Sequence, residues 1–226
     1  MSSNAPDLTG RVVVVTGADG RLGRVVARHL AQAGALVAGL DRTAHGTGDL
    51  SVQADVTDPA TVDDALGRVA EALGEPDALV HTVGMWAGVP FAETTMADWR
   101  TVLDVNLTST FVVFRSAVRR MVAAGTSGHL VALASGQGAD RGAAEQAAYS
   151  ASKAGVVRLV EAAAAEYRDA GITATAVAPS LILFGDEEPD ARGVAVDEVA
   201  ALCATLCGPA GTVHNGSVVR AYGSMR

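Results

Sequence analysis

Tyr149 and Lys153 stand four residues apart in AAYSASKAGVVRL, a stretch from Ala147 to Leu159 that otherwise reads as an alanine-rich helix. That spacing puts a phenol and an ammonium group on one helical face, one turn apart. The combination suits proton transfer. A free phenol ionises near pH ~10, too high for a base at neutral pH, and a nearby cation favours the phenolate. Chance also places Tyr and Lys on helix surfaces, so the rest of the chain has to decide. Three features converge with the pair: Ser135 ends the apolar run GHLVALAS, Asn106 lies in VLDVNLTSTF, and a glycine-rich turn, TGADGRLG, follows RVVVV.

That turn runs from an apolar β-branched segment straight into a helical pattern. Gly17, Gly20 and Gly23 allow a tight turn and close approach of a pyrophosphate, with Asp19, Arg21 and Leu22 between them. The helix start supplies free N–H groups and the positive end of its dipole. The next apolar run, ALVAGL, ends in Asp41, placed to accept hydrogen bonds from an adenosine ribose and to repel a 2′-phosphate. Its alternative reading is a capping or loop acid. Arg21 and Arg42 could bind a 2′-phosphate, so NADP stays open beside NAD as the cofactor.

The 226 residues suffice for one domain with a full core, and with 49% hydrophobic but only 4% aromatic residues that core must be mostly Val, Ala and Leu. A net charge of −8 argues against nucleic acid and against an anionic membrane surface as partners. No apolar run approaches the length of a membrane span, and MSSNAPDLTGR lacks a secretion-signal pattern, so a cytoplasmic protein is expected. Cys203 and Cys207 share one face of a helical segment, poor geometry for a disulfide, and read as small core residues. The five histidines show no metal-ligand spacing, and no metal is expected.

Strand-like runs are expected at 11–15, 35–40, 50–55, 77–84, 128–135, 171–180 and 216–223. Helical patterns alternate with them, notably 58–74, opened by Asp-Pro, and one long helix over about 96–124. Strands apolar on both sides that alternate with helices indicate a parallel sheet covered on both faces. Residues 1–226 form a single domain, with 1–8 a flexible tail and the acidic stretch within 183–195 a short lid. In such a sheet ligands bind beyond the carboxyl ends of the strands, where Ser135 falls.

With these residues in view, nearly the whole chain, from Leu8 to about Gly223, resembles the short-chain dehydrogenase/reductase family, most specifically through YSASKAG. The resemblance implies an α/β, Rossmann-like, doubly wound seven-stranded sheet and an NAD(P)-dependent oxidoreductase acting on a carbonyl/alcohol pair. It implies that Tyr149 is the general acid/base and that Lys153 lowers its pKa and binds the nicotinamide ribose. Ser135 would polarise the substrate carbonyl, and Asn106 would hold a water linking Lys153 to solvent. Hydride passes between nicotinamide C4 and the carbinol carbon while Tyr149 handles the proton. Further cofactor contacts carry over to Asp55 and Val56, to Thr82, Val83 and Gly84, and to Pro179, Ser180 and Ile182. Pairing of the long helices into a homodimer or homotetramer is also implied.

Several positions depart from the family pattern. Arg21 stands where a glycine is usual, His81-Thr82-Val83-Gly84 replaces Asn-Asn-Ala-Gly, Ser180 replaces the glycine after Pro179, and Phe184 replaces a threonine. They bear on cofactor affinity and preference more than on the chemistry. They also motivate two other readings, a non-redox enzyme on the same fold (dehydratase, isomerase or cyclase) and a cofactor-binding protein without turnover. The short lid predicts an open site or a small-molecule substrate. Trp86 either stacks on a flat substrate ring or anchors its own loop, with Gln137 and Phe184 the other substrate-side candidates.

Overall fold

The computed structural model describes residues 6–187 and 191–223. Valine-rich runs form the strands: β1 (Val12–Thr16), β2 (Leu36–Asp41), β3 (Leu50–Gln53), β4 (Ala78–His81), β5 (Gly128–Leu133) and β6 (Ile172–Pro179). The helices are α1 (Arg21–Gln32), α2 (Pro59–Leu73), α3 (Met96–Leu103), α4 (Ser109–Ala124), the short α5 (Gly136–Ala139), α6 (Ala147–Glu166), α7 (Val196–Leu206) and the short α8 (Ala210–Val213). Two-residue strands β7 (Ile182–Leu183) and β8 (Val194–Ala195) pair with each other, and β9 (Val218–Ala221) closes the main sheet.

The main sheet has seven parallel strands in the order β3-β2-β1-β4-β5-β6-β9. The order reverses between β1 and β4, which opens a crevice at the carboxyl ends of these strands. Val12 and Val14 face a core layer shared with α2, α4 and α6, while Val13 and Val15 face the layer of α1 and α7. This alternation is the period-two geometry of a strand. It explains why β1, β4, β5 and β6 are buried on both sides and apolar throughout.

Local chemistry sets the helix starts. Asp58 caps α2 through Ala60 N–H, with Pro59 in the first turn. Thr95 and Asp98 form a reciprocal capping box on α3. The expected helix over 96–124 is not continuous: a π turn over Asp104–Thr108 separates α3 from α4.

The tail expected over residues 1–8 does not include Leu8. Leu8 is fully buried against the α1 and α7 layer and donates its N–H to Ala33 O at 2.8 Å, because an apolar side chain there completes that layer. Residues 1–5 lie outside the described residues. The stretch expected to form a lid is flanked by the β7–β8 pair, and its residues 188–190 likewise lie outside the described residues. Cys203 and Cys207 are free and buried; burial pushes the Cys203 thiol up to about 12 and Cys207 higher still, so neither is a nucleophile.

Close packing at the first turn of α1 makes a prediction. A Cβ on Gly23 would sit 2.0 Å from Gly17 O, whereas one on Gly67, inside α2, would meet only Arg120 Nη1 at 3.9 Å. Gly23→Ala is expected to lose about 1–3 kcal/mol of stability by overpacking. Gly67→Ala should gain roughly 0.5–1 kcal/mol from helix propensity. Urea unfolding of both variants checks this; equal effects would contradict the close contact between Gly23 and Gly17.

Candidate active site

The coenzyme side is built where β1 runs into α1. Gly17 takes a left-handed φ of +68°, a conformation in which side chains are strained. Gly20 caps α1 with no side-chain hydrogen bond, and the first turn carries no acid. Its N–H groups and dipole are therefore available to an anion. Asp19 ties this loop to the segment after β2, accepting from His45 N at 2.8 Å and Thr47 Oγ1 at 2.6 Å. The Asp19 N–H in turn donates to Asp41 Oδ2 at 3.1 Å, which fixes the half-buried carboxylate at the end of β2 while leaving it further acceptor capacity.

The other candidates on this side surround the same crevice. Leu22 packs on the α1 layer, and Val83 lies against Gly17. Thr82 Oγ1 donates to Thr16 O at 2.7 Å, locking the end of β4 to β1. Asp55 accepts from Thr57 N–H and Oγ1, Val56 is buried, and Arg42 is exposed with its carbonyl held by Gln53. Pro179 is buried at the end of β6, Ser180 Oγ donates to Tyr222 O at 3.1 Å, and Ile182 lies in β7. An uncapped helix start, a loop folded so closely on itself that a Cβ at Gly17 or Gly23 would clash with its neighbours, and a carboxylate at the end of β2 together fit a nicotinamide dinucleotide.

The reacting side lies at the ends of β4 and β5. Ser135 follows β5, and its hydroxyl accepts from Gln137 N at 3.2 Å. Gly138, at φ +125°, sits where a Cβ would come within 3 Å of Lys153 Cβ and of the α6 backbone. That close approach brings Ser135 beside Tyr149. Burial pushes the Tyr149 phenol above its ordinary value of 10.0, and the Ser135 hydroxyl pulls it partly back. Lys153, which the resemblance gives the role of lowering this pKa, donates from its ammonium to Leu133 O at 2.7 Å. It is 4% exposed, and burial lowers its pKa to about 8.

Asn106 sits within the π turn and is fully buried. Its amide clamps the loop after β4 by accepting from Met85 N at 2.7 Å and donating to Met85 O at 3.0 Å. It also donates to Ser152 Oγ at 3.0 Å, on α6 beside Lys153. Its backbone carbonyl accepts from Thr110 Oγ1 at 2.8 Å. Gly84 lies between these groups, since its Cβ would meet Lys153 Nζ at 3.1 Å and Asn106 Oδ1 at 3.3 Å.

The substrate-side candidates are more open. Trp86 is 64% exposed and its ring lies over Gly88, close enough that a Cβ there would clash, so the ring is anchored on its own loop. Gln137 has a non-helical backbone in the bend after Ser135. Phe184 carries the Arg21 guanidinium 4.0 Å above its ring, and Arg21 also pairs with Asp186 at 2.6 Å. Arg21 therefore joins the glycine loop to the lid.

Sequence reasoning missed several groups. Asp140 accepts from Arg220 Nε at 2.8 Å and from the Tyr222 hydroxyl, so the end of the chain braces the segment after Ser135. Glu145 has φ +61° just before α6, and its carbonyl accepts from Val89 N at 2.6 Å. None of these carries a local signal, because each partner is distant in sequence. Ser152 could have been found from its place between Tyr149 and Lys153. Among the described residues, no group of three or more His, Cys, Asp or Glu is arranged to hold a metal ion, and no helix is long and apolar enough to cross a membrane.

A doubly wound parallel sheet with a phosphate loop after β1 and a Ser, Tyr and Lys cluster at its carboxyl edge defines an oxidoreductase of the dinucleotide-binding class. Residues 11–186 match the short chain dehydrogenase family, and the chain belongs to it. It is 32% identical to the D-threitol dehydrogenase of Mycolicibacterium smegmatis over 93% of this chain and 90% of that protein. It is 40% identical to the cis-4-hydroxycyclohexanecarboxylate dehydrogenase of Sinomonas cyclohexanicum over 75% of this chain and 72% of that one. A crystal structure of a short chain dehydrogenase from Mycobacterium smegmatis superposes with a TM-score of 0.85 at 31% identity, covering 97% of this chain and 95% of that one. The protein is an NAD(P)-dependent oxidoreductase.

The buried ammonium makes a pH prediction. Because the Lys153 pKa is about 8 in the folded protein against an ordinary 10.5, the unfolded chain binds more protons between these values and stability rises with pH there. Lys153→Met removes the buried charge and should be more stable than wild type at pH 7, by roughly 1–3 kcal/mol. Melting curves from pH 7 to pH 10.5 should show that margin shrinking; a margin independent of pH would refute the assignment.

Proposed function

We propose that this chain interconverts a secondary alcohol and its ketone with NAD as coenzyme, acting as a homodimer or homotetramer. One observation carries the reading: a buried ammonium one helical turn from a half-buried phenol, with a serine hydroxyl beside that phenol. The two curated relatives are named for D-threitol and cis-4-hydroxycyclohexanecarboxylate, both alcohols, which supports a CH–OH donor here.

Bound nicotinamide supplies the two-electron chemistry, and the residues handle position and proton. Tyr149 Oη, protonated at neutral pH in this environment, gives its proton to a ketone oxygen; in the other direction it takes the proton of the alcohol. Ser135 Oγ donates to the same substrate oxygen and favours the developing negative charge. Lys153 provides the positive charge that favours the tyrosinate once its proton has left. The low dielectric around the ammonium strengthens this effect.

NAD is favoured by Asp41, whose half-buried carboxylate repels a 2′-phosphate. Arg21, one of the two candidate phosphate ligands, is engaged by Asp186 and Phe184. Exposed Phe111 and Val122 on α4 support self-association through that helix.

Parallel calorimetric titrations with NADH and NADPH are expected to give at least about tenfold tighter binding of NADH, a margin that Asp41→Ala reduces. Tyr149→Phe should bind NADH as wild type does but lose about 10²–10⁴-fold in kcat. Preference for NADPH would overturn the coenzyme assignment, and undiminished turnover by Tyr149→Phe would overturn the proton-transfer role.

A further inference from the structure

His81 ends β4 and is fully buried, where the family pattern has asparagine. Its Nδ1 lies 2.7 Å from Thr16 Oγ1 and its Nε2 lies 3.0 Å from Ser109 Oγ. Ser109 Oγ donates to Val105 O at 2.6 Å. A hydroxyl has one proton, so Ser109 must accept from His81, which puts the ring hydrogen on Nε2. Nδ1 is then an acceptor, and Thr16 donates to it. The ring is neutral, with burial first and the Lys153 charge second holding its pKa down to about 3.

The far end of this relay is the π turn. Ser109 N–H bonds to Asp104 O, five residues back, so it is not available to Val105 O in the ordinary helical way. The Ser109 hydroxyl meets that carbonyl instead. Two residues of the turn then grip α6 on either side of Lys153. Asn106 holds Ser152, and Leu107 packs on Gly155, where a Cβ would come within 2.7 Å of its side chain. The shape of the turn therefore sets where the buried ammonium sits relative to Gly84 and Leu133.

We infer that His81 is a positioning residue for the proposed reaction: through Thr16, Ser109 and Val105 it holds the π turn that fixes Asn106 and Lys153. The inference rests on the functional reading above. Its test keeps the two separable, since the main readouts need neither coenzyme nor substrate.

Hydrogen exchange of the free protein is compared for wild type, Ser109→Ala, His81→Leu and His81→Gln. A glutamine amide can accept from Thr16 and donate to Ser109, whereas leucine can do neither. Ser109→Ala and His81→Leu should exchange the 104–110 amides about tenfold or more faster while β5 amides keep their protection. His81→Gln should stay near wild type. Where the turn loosens, water reaches Lys153, and its nitrogen NMR titration should move from about 8 toward 10.5. In turnover, kcat should fall about tenfold with KM within about twofold, as loss of positioning predicts.

Ser109→Ala keeps the test open if His81→Leu does not fold. Wild-type exchange at 104–110 in Ser109→Ala overturns the inference. So does an equal loss of protection across the sheet, or a His81→Gln protein as loosened as His81→Leu. If wild type binds no nicotinamide coenzyme, the functional reading fails, while exchange and the Lys153 titration still decide whether the relay exists.

Discussion

One buried charge governs the design of this molecule. The Lys153 ammonium is enclosed and directed at a single backbone carbonyl, Leu133 O. A charge in that setting is unfavourable unless the surroundings hold it tightly, and they do so by leaving it little room. Gly84 brings the loop after β4 close to the ammonium, and Gly138 brings the segment after β5 against the Lys153 Cβ and the α6 backbone. The π turn presses on α6 at Ser152 and Gly155. These features put stability at risk locally and give a preorganised charge beside a phenol.

The sheet makes that arrangement possible. Parallel strands end on one edge, so Thr16 and His81 lie side by side, and Ser135 follows beyond the end of β5, whose Ala132 pairs with His81. Buried polar groups at this edge satisfy one another. Thr16 meets His81 with its side chain and Thr82 with its carbonyl, and His81 meets Ser109. A fully paired network of this kind is rigid, and replacing one member strands the others.

Much of this architecture is legible in the sequence where the signal is local. The β1–loop–α1 unit shows in RVVVVTGADGRLG because the apolar run, the glycines and the helix are contiguous, and Tyr149 with Lys153 shows through helical spacing. The π turn does not show, since VLDVNLTST has good helical periodicity and the extra residue follows from tertiary contacts with His81 and Ser152. His81 shows only as a departure from the family pattern, and its role does not, because its partners lie 65 and 28 residues away. Arg21 reads as a phosphate ligand because its partner, Asp186, lies 165 residues on in the lid. Leu8 looks like tail because its partners, α1 and α7, are assembled only in the fold.

The segment that carries Phe184 and Asp186 is held by forces of another kind. Arg21 and Asp186 are both more than half exposed, and an ion pair of that type contributes only about 0–1 kcal/mol. The cation over the Phe184 ring adds a comparable amount, about 0.5–1 kcal/mol, at an exposed site. The floor of the site is thus fixed by buried hydrogen bonds and close glycine contacts, while its cover is attached by weak, salt-sensitive interactions at the helix start that would face a pyrophosphate.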